Sequence, residues 1–339
     1  MNETALTVHQ TARPHGFPTA DHFTFVESPI PGPAVGSALV ENLYWSVDPY
    51  HREMMDDVPG GFALGAPLEG RTIGRVIASR TPGLAEGEIV FHRQGWRTHA
   101  VVTPEEIRKL PRFDGVPLTA YLSILGGTGL TAYVGLTRIA RLQEGEDLFV
   151  SAAAGGVGTA TGRFARLLGA GRLVGSAGSA AKADHLTREV GYDAVFDYHD
   201  GPAADLLGKV APDGIDVFVD NVGGQQLAAA VGALREFGRI VRIGTISQYN
   251  TPRRTAAALQ LLGHRGEKAS AWRASWSATT AMCRRSCTSS RYRICRAASS
   301  LWTRQWLTGS STSWTHSWEC CTARTPARSS CETARKSRP

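Results

Sequence analysis

Two hydrophobic patterns divide this chain. Up to about residue 125, short runs of β-branched and aromatic residues are broken by Gly, Pro and Asp, as in SALVENLYWSVD (37–48), GRTIGRVIAS (70–79) and GEIVFHRQGWRTHAVV (87–102). Such spacing predicts a small barrel-like β domain. From about residue 126 strand-like and helix-compatible runs alternate. The helix-compatible runs are LTAYVGLTRIA (130–140), TATGRFARLLG (159–169), AAKADHLTREV (180–190) and QQLAAAVGALREF (225–237). Between them lie DLFVS (147–151), RLVGS (172–176), AVFDY (194–198), IDVFVDNV (215–222) and GRIVRIGTI (238–246). Alternation of this kind predicts an α/β fold, a doubly wound parallel sheet, behind the β domain.

The first βα junction carries the chemistry. DLFVSAAAGGVGTATG runs from an apolar strand through a glycine-rich turn into a helix, with Ala152, Gly155 and Gly158 in A-x-x-G-x-x-G spacing. That spacing lets the backbone approach a pyrophosphate while helix N–H groups face its charge. Gly155, Gly156, Val157 and Gly158 are the pyrophosphate candidates. About 20 residues on, a unit built for NAD places an acid against the ribose hydroxyls. The second strand instead runs into Ala177-Gly178-Ser179-Ala180-Ala181-Lys182. Small residues leave room there, and Ser179 and Lys182 can hold a 2'-phosphate, which favours NADP(H) over NAD. A solvated first-turn lysine is the alternative for Lys182. Ligands of such sheets bind beyond the carboxyl ends of the strands. That rule adds Asn221-Val222-Gly223-Gly224 and the stretch from Gly244 through Ser247 to Asn250 as candidates, the former also readable as a simple strand-ending turn.

Composition changes this picture at one place. The formal charge of +7 is concentrated: Gly266–Pro339 holds 13 of the 37 basic residues and 3 of the 30 acidic ones. The preceding chain is mildly acidic, which argues against a nucleic-acid partner. The same tail holds all six cysteines, six of the eight tryptophans and only two of the 37 glycines. It shows no sustained helix or strand period, and its Ser/Arg/Thr/Cys/Trp mixture is what GC-rich coding DNA yields in a shifted frame. Rebuilding codons from the third base of one residue and the first two of the next makes Trp314-Thr315 encode Asp, Trp318-Glu319 Gly and Cys320-Cys321 Leu. We read the tail as the product of a frameshift near residues 262–271, poorly structured, with a basic or metal-binding tail as the alternative. Cys283, Cys287 and Cys295 lack a fourth ligand at finger or ribbon spacing. The N-terminus has no apolar signal region and no run approaches the ~18 apolar residues of a membrane span, so a soluble, cytoplasmic protein with no membrane partner is expected.

Six segments, SVDPY (46–50), GRVIAS (74–79), GLTAY (129–133), SAAAGGVG (151–158), DNVGG (220–224) and ISQYN (246–250), occur in an order that resembles one family. It is the zinc-independent medium-chain dehydrogenase/reductases of the prostaglandin reductase, plant double-bond reductase and bacterial curcumin reductase type. The resemblance covers residues 1 to about 260. It implies a GroES-like β-rich substrate domain (1–125), an NADP-binding Rossmann domain (126–265) and the anomalous tail (266–339). It also implies NADPH-dependent reduction of the C=C bond of an α,β-unsaturated ketone or aldehyde, with hydride delivered to the β-carbon. By motif, Tyr249 orients the cofactor ribose and the substrate carbonyl, and Tyr50 lines the substrate cleft. Lys182 and Tyr198 take the 2'-phosphate end and Asn221 the ribose–nicotinamide side. A packed aromatic is the alternative for either site tyrosine.

The chain departs from the family pattern after VDPY, where His51 replaces the usual Met. A histidine at a strand exit is expected at the surface. The first 265 residues contain no cysteine and no G-H-E segment, against a zinc alcohol dehydrogenase. An NADPH:quinone reductase is the enzymatic alternative. A nucleotide-binding chain impaired by its tail is the other, and the homodimer implied for an intact relative is in doubt for the same reason.

Overall fold

The structure, a computed structural model, describes residues 4–250 and the backbone of Ala271–Ala274, all within one compact unit, Met1–Thr279. The frameshift reading falls on residues outside that range, apart from the four-residue strand.

The N-terminal domain begins with the hairpin of β1 (Thr4–Gln10) and β2 (Phe23–Pro29). Five antiparallel strands follow: β3 (Ala38–Trp45), β4 (Thr72–Ser79), β5 (Ile89–His92), β6 (His99–Val102) and β7 (Arg108–Lys109), ordered β6-β3-β4-β5-β7. Ala38, Val40, Val76, Val90, Ala100 and Val102, with Leu84 and Ile107, form its core. A short helix, α1 (Tyr50–Met54), leaves the end of β3.

The second sheet holds β8 (Leu148–Val150), β9 (Leu173–Ala177), β10 (Ala194–Asp197), β11 (Ile215–Asp220), β12 (Leu234–Arg242) and β13 (Ala271–Ala274). All its neighbours are parallel, in the order β10-β9-β8-β11-β12-β13. This is the doubly wound arrangement, and its order reverses between β8 and β11. Helices α2 (Gly127–Val134), α3 (Gly156–Leu167), α4 (Ala180–His185), α5 (Ala203–Val210) and α6 (Gly224–Ala233) complete it. Phe149 stacks on Phe218 at 4.9 Å and on Phe196 at 5.7 Å, so three strands share one aromatic layer beneath α5 and α6.

Two elements differ from the sequence reading. Helix α5 was not expected, although parallel β10 and β11 need a crossover between them. The helix expected over 225–237 ends at Ala233, and β12 begins at Leu234. Pairing with β11 claims Leu234, and the chain then bulges before Arg239 resumes the register opposite Val217, with Phe237 at φ 63°. Strand pairing and burial of Leu234 override the local helix preference.

Candidate active site

The glycine loop divides its residues between two tasks. Gly155 and Gly156 are exposed, and added Cβ atoms there would meet nothing closer than Ala152 O at 3.2 Å and Thr128 Cγ2 at 3.1 Å. Gly158 is buried, and a Cβ on it would sit 2.5 Å from Ala153 Cα and from the Ala153 carbonyl oxygen. The turn starts with Ala152 in the left-handed region, φ 48°, where its N–H donates to Ser176 Oγ at 3.1 Å. Ser176 Oγ in turn donates to Gln226 Oε1 at 2.6 Å. Tyr192, buried behind the loop, donates its hydroxyl to the Gly158 carbonyl at 2.8 Å. Helix α3 opens on Gly155 with no side-chain cap, and Val157 stands in its first turn. Exposed glycines before an uncapped helix N-terminus fit a pyrophosphate.

The adjacent strand ends form the 2'-phosphate candidates. Ser179 caps α4, its Oγ accepting the Lys182 N–H at 3.3 Å, and the Lys182 side chain is exposed. The half-exposed Tyr198 ring lies over Gly178, its Cε1 2.9 Å from where a Cβ would stand. Gly178, Ser179, Lys182 and Tyr198 therefore share one corner beyond β9 and β10.

At the switch point between β8 and β11, Ser151 and Asn221 are joined. Asn221 N donates to Ser151 Oγ at 2.9 Å and Asn221 Nδ2 to Ser151 O at 2.8 Å. Beside them lies Asp220, a fully buried carboxylate outside the sequence-based candidates. Its Oδ1 accepts from Gly223 N at 2.8 Å, Val222 N at 3.0 Å and Ser151 Oγ at 3.2 Å. Burial raises the Asp220 carboxyl above the usual range, against the lowering pull of those N–H donors. These bonds fix the turn in which Gly223 and Gly224 take φ 73° and 55°, values that suit glycine. The Asp220 carbonyl also accepts from Ile243 N and Gly244 N, tying the end of β12 to the same corner.

Beyond β12, Ser247 Oγ donates to Val222 O at 2.6 Å, which places this turn over Asn221. Tyr249 is buried, with its hydroxyl 3.4 Å from where a Gly244 Cβ would stand. The Asn221 carbonyl oxygen is closer still to that position, at 3.1 Å, so Gly244 packs tightly on the strand-end turn.

In the N-terminal domain Tyr50 is half-buried and accepts from Arg93 Nη2 at 3.4 Å; Arg93 also pairs with Glu69. Burial raises the Tyr50 hydroxyl, with Arg93 opposing, so it stays protonated at neutral pH. His51 corrects the expectation of a surface residue. It is 2% exposed, packed against Tyr50, Phe62 and Trp96, and its Nδ1 accepts from Asp48 N at 3.3 Å. Burial lowers it to about 4, so α1 presents a neutral ring there.

Two arginines reach from this domain to the nucleotide-binding one. Arg71 pairs with Asp48 through both carboxylate oxygens and lies 3.5 Å from Thr128 Oγ1, the residue whose methyl approaches Gly156. Burial alone would raise Asp48, but its Arg71 and Ser46 partners hold it below the usual range. Arg52 Nε donates to Asn250 Oδ1 at 3.0 Å. No local sequence signal could have paired residues 198 positions apart. For Asp220 the signal was present, an acid closing the apolar run IDVFV just before Asn221.

Comparison with known proteins supplies the ancestry. A family model described as N-terminal domain of oxidoreductase matches residues 7–110, and one described as zinc-binding dehydrogenase matches residues 156–282. A Bacillus subtilis protein named putative NADP-dependent oxidoreductase YfmJ is 41% identical over 256 residues, 74% of each chain. The chain belongs to the medium-chain dehydrogenase/reductase family. Within it, the NADP-dependent 2-alkenal reductase of Nicotiana tabacum is 40% identical over 217 residues, 62% of this chain and 63% of that one. Among solved structures, CurA from Vibrio vulnificus in complex with NADPH superposes with a TM-score of 0.74 at 30% identity, covering 88% of each chain. This medium-chain dehydrogenase/reductase is an NADP(H)-dependent oxidoreductase.

Proposed function

We propose that the enzyme reduces the carbon–carbon double bond of α,β-unsaturated ketones or aldehydes without zinc. The observation that carries this reading is the Arg52–Asn250 bond, which joins the segment bearing Tyr50 to the segment bearing Tyr249. The bond brings together one phenol-bearing segment from each domain, and the Tyr249 hydroxyl lies beside Gly244. The names of similar proteins, 2-alkenal reductase and (+)-pulegone reductase among them, support the same substrate class.

NADPH, when bound, supplies the hydride for the β-carbon. Gly155, Gly156 and Val157 hold the pyrophosphate, Gly178, Ser179, Lys182 and Tyr198 the 2'-phosphate end, and Asn221, Gly244 and Ser247 border the nicotinamide side. Negative charge then grows on the substrate's carbonyl oxygen, and Tyr249 donates a hydrogen bond to it, which lowers the barrier to the enolate. Tyr50 lines the opposite wall as a protonated phenol, and His51 behind it adds bulk without charge. A solvent proton at the α-carbon completes the saturated product.

An enolate spreads its charge over carbon and oxygen, so hydrogen bonds suffice where an alkoxide would need a Lewis acid. The absence of cysteine from the first 265 residues supports this choice over a zinc alcohol dehydrogenase.

Steady-state NADPH oxidation by the full chain, with a medium-chain enone, a short alkenal and a benzoquinone in parallel, tests the proposal. Turnover of the enone or the alkenal is expected. Turnover of the quinone with neither of the other two would overturn it.

A further inference from the structure

We infer that Arg52 and Asn250 are a positioning pair for the reaction: their hydrogen bond sets the Tyr249 phenol at the substrate. The inference rests on the reading of Tyr249 as the donor to the carbonyl oxygen.

The turn after β12 stands on two supports. On the nucleotide side, Ser247 Oγ holds Val222 O at 2.6 Å, and the N–H groups of Ile243 and Gly244 hold the Asp220 carbonyl. On the substrate side, Asn250 Oδ1 accepts from Arg52 Nε at 3.0 Å. Tyr249 lies between them, one residue from the second support and two from the first.

Arg52 is suited to act as a fixed post. Its Nε–H is shared with Gly16 O at 2.9 Å, Nη1 donates to Asp56 Oδ1 at 2.7 Å, and Nη2 donates to Pro14 O at 3.2 Å. Its side chain is 11% exposed. A guanidinium already held by three partners of its own domain loses little further freedom on meeting a fourth. Arg52 follows Tyr50 by two residues in α1, so the wall that bears Tyr50 and the turn that bears Tyr249 share one reference point. A misplacement of about 1 Å at a reacting group can cost up to 100-fold in rate, which is the scale available to a single lost support.

A mutant cycle on the full chain tests this, read by single-turnover NADPH oxidation at saturating acceptor and by NADPH affinity from fluorescence. Asn250→Ala should slow hydride transfer about tenfold and leave NADPH affinity within about twofold. Asn250→Asp keeps the acceptor oxygen and should hold the wild-type rate within about threefold. In a Tyr249→Phe background, the same Asn250→Ala change should cost less than about twofold, because the phenol it positions is gone.

A wild-type rate in Asn250→Ala beside a slow Tyr249→Phe would overturn the pairing role while leaving the proposed function standing. An equal tenfold loss in both backgrounds would show that Asn250 does not act through Tyr249. A wild-type rate in Tyr249→Phe itself would remove the donor and the positioning pair together.

Discussion

Gly158→Ala is expected to damage both folding and cofactor binding, by about 3 kcal/mol in stability and more than tenfold in NADPH affinity. The added methyl would lie 2.5 Å from Ala153 Cα and the Ala153 carbonyl oxygen, and those atoms are backbone, so no rotamer can clear it. Helix α3 would have to lift away from β8. Tyr192 would lose its bond to the Gly158 carbonyl in the same movement. Gly155→Ala is the informative comparison, since its methyl meets only Ala152 O at 3.2 Å on an exposed turn. That variant should melt within about 2 °C of wild type, yet still bind NADPH more weakly, because Gly155 faces the ligand and Gly158 faces the core. Thermal melts with and without NADPH check both. Equal melting of the two variants would contradict the division of labour in the loop.

Tyr249→Phe is expected to slow hydride transfer about 100-fold while leaving NADPH affinity within about twofold. The ring is buried, and phenylalanine fills the same volume, so the fold should be kept. What is removed is one donor at the oxygen on which charge develops, the kind of loss measured at 10²- to 10³-fold in oxyanion holes. Stopped-flow NADPH oxidation at saturating enone reports it. An unchanged rate would take Tyr249 out of the chemistry.

The nucleotide-binding half was legible because its information is local. A strand, a glycine turn and a helix follow one another between Asp147 and Leu167, and the ends of successive parallel strands must gather at one edge. For that reason Gly178 meets Tyr198, and Ser247 meets Val222 beside Asn221, as the strand-end rule implies. Residues whose role depends on distant neighbours were not legible. His51 reads as a polar residue at a strand exit, but Phe62 and Trp96 close over it from other segments. Arg52 carries no signal of its own in the sequence, and its partner Asn250 comes from the turn after β12. Helix α5 hides between two strong strand runs, and α6 is cut short because β11 recruits Leu234. At Leu234 local helix preference lost to a strand contact made elsewhere in the fold.

The central claim is conjugate reduction, and the site of isotope incorporation tests it most directly. The full chain would be incubated with NADPH deuterated on the transferring face of C4 and an unlabelled enone, and the product examined by NMR. Deuterium at the β-carbon of a saturated ketone, with the α-carbon proton drawn from solvent, is the predicted result. Deuterium on the carbonyl carbon of an allylic alcohol would contradict the account, because hydride would then have gone to an alkoxide-forming centre that Tyr249 and Tyr50 are not proposed to serve.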